Sequence, residues 1–426
     1  MSQSTYHVTV FRGDGIGPDV TDATIAVLEA AQKCVGGFCL NFNSYHAGAT
    51  YFRESGRDIE QGSEQAAEQA DAILLGAIGL PEVRYLDGTE IAPHLRLREQ
   101  LQLYAGVRPV RAYPNTPLPL ADPRASAIDL VIVRESTEGL FYSAAVHGRT
   151  QVADEKEVRD TLRITRNTTE KLHDFAFQLA RQRKNRGRPG RVTCVDKANV
   201  FRSMAFFRQI FDERAQQFPD ISADHNYIDA QALDLIRKPW SFDVMVMENM
   251  YGDILSDLAG GLVGGMGMAA CAEIGDHHGL FQPAHGSAPD IMGRDAANPL
   301  ACILSGSLLL GYLAEKSGQD QLDCAAEMIE SAVYTGFSSG RLRPLPSCGP
   351  GSNQYSPDSR LNRVAKKYRS SQPTNSSIWI TSPKALFDFN QFYFEDQSLI
   401  GADQATRTDT TVAELWWNHN LPFRPF

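Results

Sequence analysis

Hydrophobic and polar positions along this chain repeat with two different periods. Short aliphatic runs bounded by turn residues predict strands at residues 8–11, 72–75, 128–133, 192–195 and 244–247. Apolar residues three and four positions apart predict helices, most clearly at residues 20–31 and 198–218. Because the two kinds of element follow one another in turn, the pattern indicates an α/β fold.

The first predicted strand leads into a glycine-rich turn and then a helix. The turn reads Arg-Gly-Asp-Gly-Ile-Gly-Pro over residues 12–18. In such a layout the bare backbone amides at the start of the helix can face a ligand. A plain tight turn is an equally good interpretation. The spacing is not the GxGxxG of the dinucleotide fingerprint, so the turn does not predict a Rossmann site.

Two aspartates, Asp253 and Asp257, lie four residues apart in a segment whose apolar spacing predicts a helix. At that spacing both carboxylates share one helix face. Oxygen ligands on one rigid face suit Mg2+ or Mn2+ rather than zinc, which favours nitrogen and sulfur. The alternative interpretation is a pair of solvated surface aspartates.

Cationic side chains stand where two predicted strands end. Arg134 closes the run at 128–133, and Lys197 follows the run at 192–195. In open α/β sheets ligands gather at such strand ends, and an arginine binds a carboxylate through a bidentate fork. Residues 285–291, His-Gly-Ser-Ala-Pro-Asp-Ile, form a loop of small residues that lets the backbone approach a phosphate.

The motifs GDGIGP, VRESTEG, VDKANV, YIDA, GDILSDLA and HGSAPDI, in this order, resemble the β-decarboxylating dehydrogenases of 3-isopropylmalate, isocitrate, homoisocitrate, D-malate and tartrate. The resemblance covers about residues 6–335 and implies that family's two-lobed fold, which is not a Rossmann fold. It places residues 1–103 with 264–365 in a first, NAD-binding lobe and residues 104–263 in a second lobe with metal, substrate and dimer contacts. Residues 366–426 have no family counterpart and form a C-terminal extension of unknown role.

The family oxidises the hydroxyl of a 2-hydroxy acid, passes hydride to a nicotinamide and then releases the adjacent carboxylate. The resemblance assigns binding of the substrate carboxylates to Arg98, Arg108 and Arg134. His94 and Leu95 stand where isopropylmalate enzymes carry paired leucines that contact the third substituent. A histidine there suggests a smaller or more polar group, as in malate or tartrate.

The resemblance also implies a metal and a homodimer with shared active sites. Asp253 and Asp257 match two ligands of Mg2+ or Mn2+, and Asp229 matches a third that the family supplies from the partner subunit. Lys197 matches the lysine that accepts the hydroxyl proton, also from across the dimer. The metal polarises the hydroxyl and later stabilises the enolate.

Cofactor choice follows from the HGSAPDI loop. NAD-dependent relatives carry an acid at the position of Asp290, which accepts hydrogen bonds from ribose hydroxyls, whereas NADP users have Lys-Tyr in place of Asp290 and Ile291. NAD is therefore predicted. The remaining cofactor residues implied are His285, Gly286, Ser287, Ala288 and Asn298 on the adenosine side, and Ile16 with the loop from Gly76 through Ile78 to Gly79 on the nicotinamide side.

The chain departs from the family at its catalytic tyrosine, which falls seven residues after the motif arginine and is Phe141 here. Tyr142 follows immediately. Three interpretations stay open: a bulge at the strand end lets Tyr142 serve, water protonates the enolate, or the enzyme stops at the keto acid. A catalytically impaired nucleotide-binding relative is a further alternative, and the family's C-terminal Asp-Leu-Gly-Gly signature is also absent.

Composition narrows the class of partner. The net charge of −10 disfavours nucleic acid and anionic membranes, and no apolar run approaches the ~20 residues of a membrane span. The seven cysteines show no metal-ligand spacing, and the polar N-terminus shows no signal peptide. These features predict a cytoplasmic protein. The small di- or tricarboxylate substrate is what the family resemblance implies.

Overall fold

A computed structural model describes residues 4–145, 151–343 and 378–379 of the 426-residue chain. The strands in this part of the chain are β1 Ser4–Gly13, β2 Phe38–Tyr45, β3 Ala72–Ala77, β4 Ala105–Arg111, β5 Asp129–Glu135, β6 Gln151–Asp154, β7 Glu157–Arg159, β8 Arg191–Asp196, β9 Ser222–Tyr227, β10 Val244–Met247, β11 Ala270–Ile274, β12 Gly279–Pro283, β13 Leu342–Arg343 and β14 Ile378–Trp379. The α-helices are α1 Gly17–Val35, α2 Ala49–Ser55, α3 Ser63–Gln69, α4 Pro93–Gln100, α5 Phe141–Ala145, α6 Arg166–Asn185, α7 Arg202–Ala215, α8 Ile228–Arg237, α9 Asn249–Leu262, α10 Leu300–Ser317 and α11 Asp320–Ser338.

The predicted α/β alternation is confirmed, and so are the five predicted strands and both predicted helices. Their ends move by a few residues. Helix α7 is shorter than predicted and begins at Arg202 rather than at residue 198. The amides of Val200 and Phe201 both donate to the Lys197 carbonyl, so these residues form a turn before the helix.

Ten strands form one sheet in the order β2-β1-β3-β12-β11-β4-β5-β10-β8-β9. The first four are mutually parallel, and so are the last four. Between them, β11 and β4 pair antiparallel with both of their neighbours, so the two parallel blocks run in opposite directions. Strands from residues 4–77 and 270–283 occupy one half of the sheet, and strands from residues 105–247 occupy the other.

The core lies on both faces of this sheet. Strands β3 and β10 are buried along their whole length, as expected for parallel strands covered on both sides. Helix α10 is buried on most sides because α1, α11 and the strands β3, β11 and β12 pack around it. None of the helices that the structure describes has the length and apolarity to cross a membrane.

The predicted division into lobes stays a prediction. The strands of one half of the sheet come from the chain segments assigned to the first lobe, and those of the other half come from the segment assigned to the second. Residues 344–365 of the predicted first lobe lie outside the described residues, as does the predicted extension at 366–426 apart from β14.

Candidate functional site

Three neighbouring parallel strands, β5, β10 and β8, end at one edge of the sheet. Arg134 is the penultimate residue of β5, Lys197 directly follows β8, and α9 follows β10. The sequence prediction that cations stand at strand ends is therefore confirmed. Strand β11 runs in the same direction, and its register places Glu273 opposite Gly106, which in turn lies opposite Arg134.

Asp253 and Asp257 lie on α9, as predicted, with 42% and 59% of their side chains exposed. Arg134 makes an ion pair with Asp253. Arg108 Nη2 lies 3.6 Å from Asp253 Oδ1, and its Nη1 lies 3.7 Å from Asp257 Oδ1. We call Arg98, Arg108, Arg134, Asp253, Asp257 and Glu273 the arginine–aspartate cluster.

The arginines of this cluster are buried and held in place by neutral groups. Arg134 donates from Nε and Nη2 to Asn249 Oδ1, at 2.9 and 2.7 Å, and Arg108 Nη1 donates to Ser256 Oγ at 2.8 Å. Burial, reinforced by the charge of Arg108, lowers the pKa of Arg134 to about 10, so it stays cationic at neutral pH. Within the described part of the chain, the buried Nε atoms of Arg98 and Arg108 have no hydrogen-bond partner. These donors suit an anionic ligand.

The third arginine pairs with a carboxylate that the sequence analysis missed. Arg98, on α4, places Nη2 2.8 Å from Glu273 Oε1, and both side chains are buried. Burial opposes ionisation of Glu273, but the charges of Arg98, Arg108 and Arg134 outweigh it and hold its pKa below the usual value. A lone acid inside the otherwise apolar strand Ala-Cys-Ala-Glu-Ile was the signal available in the sequence.

His94 and Leu95 lie one turn before Arg98 on α4, both partly buried. Burial, together with the charges of Arg98 and Arg134, lowers the pKa of His94 to about 3, so the ring is neutral at physiological pH. Its Nδ1 is buried and has no hydrogen-bond partner among the described residues. The structure thus brings the predicted substituent-recognition residue next to the cluster.

Lys197 and Asp229 pair with each other, with Nζ 2.6 Å from Oδ1. This hydrogen bond lowers the pKa of Asp229, whose side chain is 70% exposed. Asp229 does not join Asp253 and Asp257: no group of three His, Cys, Asp or Glu side chains within the described ranges is placed to hold a metal ion. That the partner subunit supplies its Asp229 as a third ligand stays a prediction.

The segment that carries the displaced tyrosine is helical, so the predicted bulge at a strand end is wrong. β5 ends at Glu135, and residues Phe141–Ala145 form the short helix α5. The Phe141 ring lies 4.9 Å from Arg134 Cζ, whereas the Tyr142 ring lies 4.3 Å from Arg163 Cζ. Successive helix residues point in different directions, so Phe141 rather than Tyr142 faces the cluster.

The residues predicted to bind cofactor meet in three segments, 13–17, 76–79 and 285–288, which we call the cofactor-side loops. The Asp14 amide donates to the Ala77 carbonyl at 2.6 Å, and the Ile16 amide donates to the Ser287 carbonyl at 2.8 Å. The Ser287 hydroxyl donates to the Gly79 carbonyl. The amides of Asp14 and Ile16 are therefore used between loops, and the Gly17 amide donates to the Asp14 carbonyl at 2.8 Å within the turn.

Glycines are required where these loops touch. A Cβ at Gly13 would lie 2.0 Å from the Ala77 carbonyl oxygen, and one at Gly15 would lie 2.0 Å from that of Ser287. Both glycines also have positive φ, which favours glycine. A Cβ at Gly76 would lie 2.2 Å from the carbonyl oxygen of Arg12.

Asp14 is a second residue that the sequence analysis missed. Its buried carboxylate accepts hydrogen bonds from the amides of Ala49, Thr50 and Gly79, at 2.7 to 2.8 Å. It therefore ties the first turn to the start of α2 and to the 76–79 loop. Its partners lie 35 to 65 residues away, so no local pattern identifies this role.

The adenosine-side residues lie on the loop after β12. His285 has a buried Nε2 without a hydrogen-bond partner in the described chain, and burial lowers its pKa. Ala288 adopts a left-handed conformation with φ +37°. Gly286 and Asp290 on this loop are exposed, and Ile291 is partly buried against the core. Asn298 Oδ1 accepts a hydrogen bond from the Leu300 amide at 3.1 Å. On the 76–79 loop, Ile78 is also partly buried against the core.

Comparison with known proteins agrees with this arrangement. A sequence profile of the family described as isocitrate/isopropylmalate dehydrogenase matches residues 7–343. The 3-isopropylmalate/3-methylmalate dehydrogenase of Methanocaldococcus jannaschii is 42% identical over 76% of this chain and 91% of its own length. The 3-isopropylmalate dehydrogenase of Aquifex aeolicus is 35% identical over 80% of this chain and 91% of its own. The crystal structure of an isocitrate dehydrogenase from Methylococcus capsulatus superposes with a TM-score of 0.67 at 32% identity, covering 79% of this chain and 92% of that one.

Proposed function

Because the chain belongs to the isocitrate/isopropylmalate dehydrogenase family, we propose that it oxidises and decarboxylates a malate-type 2-hydroxy acid, using NAD and Mg2+ or Mn2+. The observation that carries the proposal is the arginine–aspartate cluster. It combines three buried guanidinium groups and two partly exposed aspartates on one helix, and two of the guanidinium groups have an Nε donor without a hydrogen-bond partner among the described residues. Such a set matches an anionic substrate beside a hard cation.

Four side chains in and beside the cluster have distinct tasks in this proposal. Arg108 and Arg134 would bind the substrate carboxylates by bidentate hydrogen bonds, because Ser256 and Asn249 already fix their orientation. Lys197 would accept the proton of the substrate hydroxyl. Its partner Asp229 keeps it in place in the single chain.

Asp253 and Asp257 fit a divalent cation because their oxygens share one helix face and remain partly exposed. The ion would polarise the substrate hydroxyl and stabilise negative charge as carbon dioxide leaves. The two aspartates now pair with Arg108 and Arg134, so their transfer to a cation frees these arginines for the substrate.

NAD is the proposed cofactor because Asp290 is exposed beside the cofactor-side loops and its charge would repel the 2′-phosphate of NADP. The buried, unpartnered Nε2 of His285 supports a ligand on the same loop. Locked loop backbones provide a rigid surface for a nucleotide.

A homodimer with shared active sites is supported by apolar side chains around Lys197 and Asp229. Val200, Phe201, Leu233, Ile236 and Ile254 are each 45% to 59% exposed, and they follow β8 or lie on α8 and α9. Exposed apolar residues grouped in this way mark a protein interface. A second copy would bring its own Lys197 and Asp229 towards the cluster.

Phe141 favours a second candidate function, a dehydrogenase that stops at the keto acid. The phenyl ring over Arg134 has no hydroxyl to donate a proton to the enolate. In this case the hydride step would proceed, and release of carbon dioxide would be slow or absent.

One substrate panel tests both candidates. The full chain is mixed with Mn2+, NAD or NADP, and 3-isopropylmalate, 3-methylmalate, D-malate, tartrate or isocitrate, while reduced cofactor and carbon dioxide are both measured. Equal amounts of both products with NAD support the first proposal, and reduced cofactor without carbon dioxide supports the second. Binding of NAD with no turnover of any acid would instead indicate a catalytically impaired relative.

A further inference from the structure

Glu273 has no task in the function proposed above, although it lies inside the arginine–aspartate cluster. Its row in the sheet runs from Glu273 through Gly106 to Arg134, so the two charged side chains leave the same face. Gly106 leaves the position between them bare: a Cβ there would lie 2.9 Å from Glu273 Oε2 and 2.6 Å from Ser136 Oγ. The glycine therefore gives Glu273 the space to reach across β4.

The Glu273 carboxylate forms a buried ion pair with Arg98. Its Oε1 lies 2.8 Å from Arg98 Nη2 and also accepts the thiol of Cys271 at 3.5 Å. The Glu273 side chain is 0% exposed and that of Arg98 is 5% exposed. A buried carboxylate of this kind cannot turn to solvent, and removal of its partner would leave an uncompensated charge.

The aspartates of the cluster differ from Glu273 in this respect. Asp253 and Asp257 are 42% and 59% exposed and can leave Arg108 and Arg134 for a cation. Glu273 has no such alternative partner. When cation and substrate bind, Arg108 and Arg134 would therefore present free positive charge, while Arg98 would remain neutralised.

The residues one turn before Arg98 on α4 are uncharged. His94, four residues earlier on α4, is neutral, and Leu95 follows it. A third carboxylate on the substrate would meet no free cation in this region and would face the charge of Glu273. A methyl, isopropyl or hydroxyl group would meet no such opposition.

We propose that Glu273 is a specificity-determining residue: it cancels the charge of Arg98 and so restricts the substrate to dicarboxylates whose third substituent is uncharged. It acts through Arg98 as a positioning residue and does not touch the substrate. The inference rests on the proposed function, which it narrows from di- or tricarboxylates to dicarboxylates.

The test compares dissociation constants for 3-isopropylmalate and isocitrate, measured by calorimetry on the full chain with Mn2+. Wild type should bind 3-isopropylmalate more tightly. Glu273→Gln should shift the ratio of the two constants towards isocitrate by roughly tenfold or more, because it restores one positive charge. Glu273→Asp keeps the charge and should keep the wild-type preference. If the Gln variant does not fold, Glu273→Ser removes the same charge and leaves room for water beside Arg98.

Asp243→Asn is the matched control, because Asp243 forms another fully buried ion pair, 2.6 Å from Arg183 Nε, away from the cluster. It should lower the melting temperature without changing the ratio. An unchanged ratio in a folded neutral variant that still binds 3-isopropylmalate overturns the role of Glu273 and leaves the proposed function intact. A wild type that prefers isocitrate also overturns the role of Glu273 without contradicting the proposed function. A wild type that binds none of the 2-hydroxy acids overturns the proposed function and this inference with it.

Discussion

The cofactor-side loops and the arginine–aspartate cluster are built by different means. The loops are joined through backbone hydrogen bonds, and glycines allow their carbonyl and amide groups to approach closely. The cluster is joined through charged side chains from α4, β4, β5, β11 and α9. The close backbone contacts between the loops leave no room for an added side-chain atom. The ion pairs of the cluster can exchange partners when a cation or an acidic substrate binds.

This difference has a consequence for how each region depends on other molecules. The loops have their contacts within one chain, including the three amide hydrogen bonds to Asp14. The cluster leaves two guanidinium Nε donors unused and brings together two of the three predicted metal ligands. We therefore expect changes of side-chain charge to affect substrate and cation binding at the cluster. We expect changes of backbone shape to affect NAD binding at the loops.

The largest expected effect comes from removing a charge in the cluster. Asp253→Asn should lower kcat/KM by at least about 100-fold and raise the Mn2+ concentration needed for activity, because Asp253 is both a proposed cation ligand and the carboxylate paired with Arg134. NAD binding should change little. Steady-state kinetics against Mn2+ concentration measure the first effect, and calorimetry with NAD measures the second.

Asp320→Asn is the control, because Asp320 is an exposed aspartate in the first turn of α11. It should behave as wild type in both measurements. Normal metal dependence in Asp253→Asn would contradict the assignment of this carboxylate as a ligand.

The loops should respond to shape without any change of charge. Gly15→Ala puts a Cβ 2.0 Å from the Ser287 carbonyl oxygen at a φ of +57°, so the first and third loops must separate. We expect NAD affinity to fall roughly tenfold and the melting temperature to drop by several degrees.

Gly56→Ala separates the clash from the backbone strain. Gly56 has a similar φ of +74°, but a Cβ there would have nothing within 4 Å. This variant should lose some stability and keep its NAD affinity. Equal NAD affinity in the two variants would show that contact between the loops is unimportant for the nucleotide.

A smaller effect is expected at the aromatic pair beside the cluster. Phe141→Tyr adds a hydroxyl to the ring that faces Arg134 and should speed release of carbon dioxide several-fold while leaving the hydride step unchanged. Tyr142→Phe should change neither rate much, because Tyr142 contacts Arg163 instead. Single-turnover measurements of reduced cofactor and carbon dioxide separate the two steps. Slow decarboxylation in Tyr142→Phe alone would instead support the sequence prediction that Tyr142 is catalytic.

The sequence predicted elements better than it predicted contacts between them. The apolar residues located β3 and β10, because these strands are fully buried and therefore read as continuous hydrophobic runs. They also located β5, which is buried from Leu130 to Glu135. Spacing also placed Asp253 and Asp257 on one helix face. The roles of Asp14 and Glu273 could not be predicted, because their partners come from distant segments of the chain. The bulge interpretation for Tyr142 was wrong because α5 begins at Phe141, where the sequence carries no capping residue that marks a helix start.

The smallest expected effect concerns a buried acid that belongs to neither region. Glu330 on α11 is buried, lies near Arg111 and Asp129, and has an Oε2 without a hydrogen-bond partner in the part of the chain described. Burial raises its pKa from 4.5 to about 8, despite the opposing charge of Arg111 and a hydrogen bond from Ser307. Since the folded state keeps a proton that the unfolded state releases, the free energy of unfolding should fall as the pH rises from about 4.5 to about 8.

Glu330→Gln should remove this slope and stabilise the protein by roughly 1–3 kcal/mol at pH 8, with little effect at pH 5. Denaturant unfolding at both pH values measures the difference, and kcat/KM should remain that of wild type, because the residue contacts neither the loops nor the cluster. If the free energy of unfolding of the variant still falls over this pH range, the dependence comes from other titratable groups, and those of the arginine–aspartate cluster would be tested first.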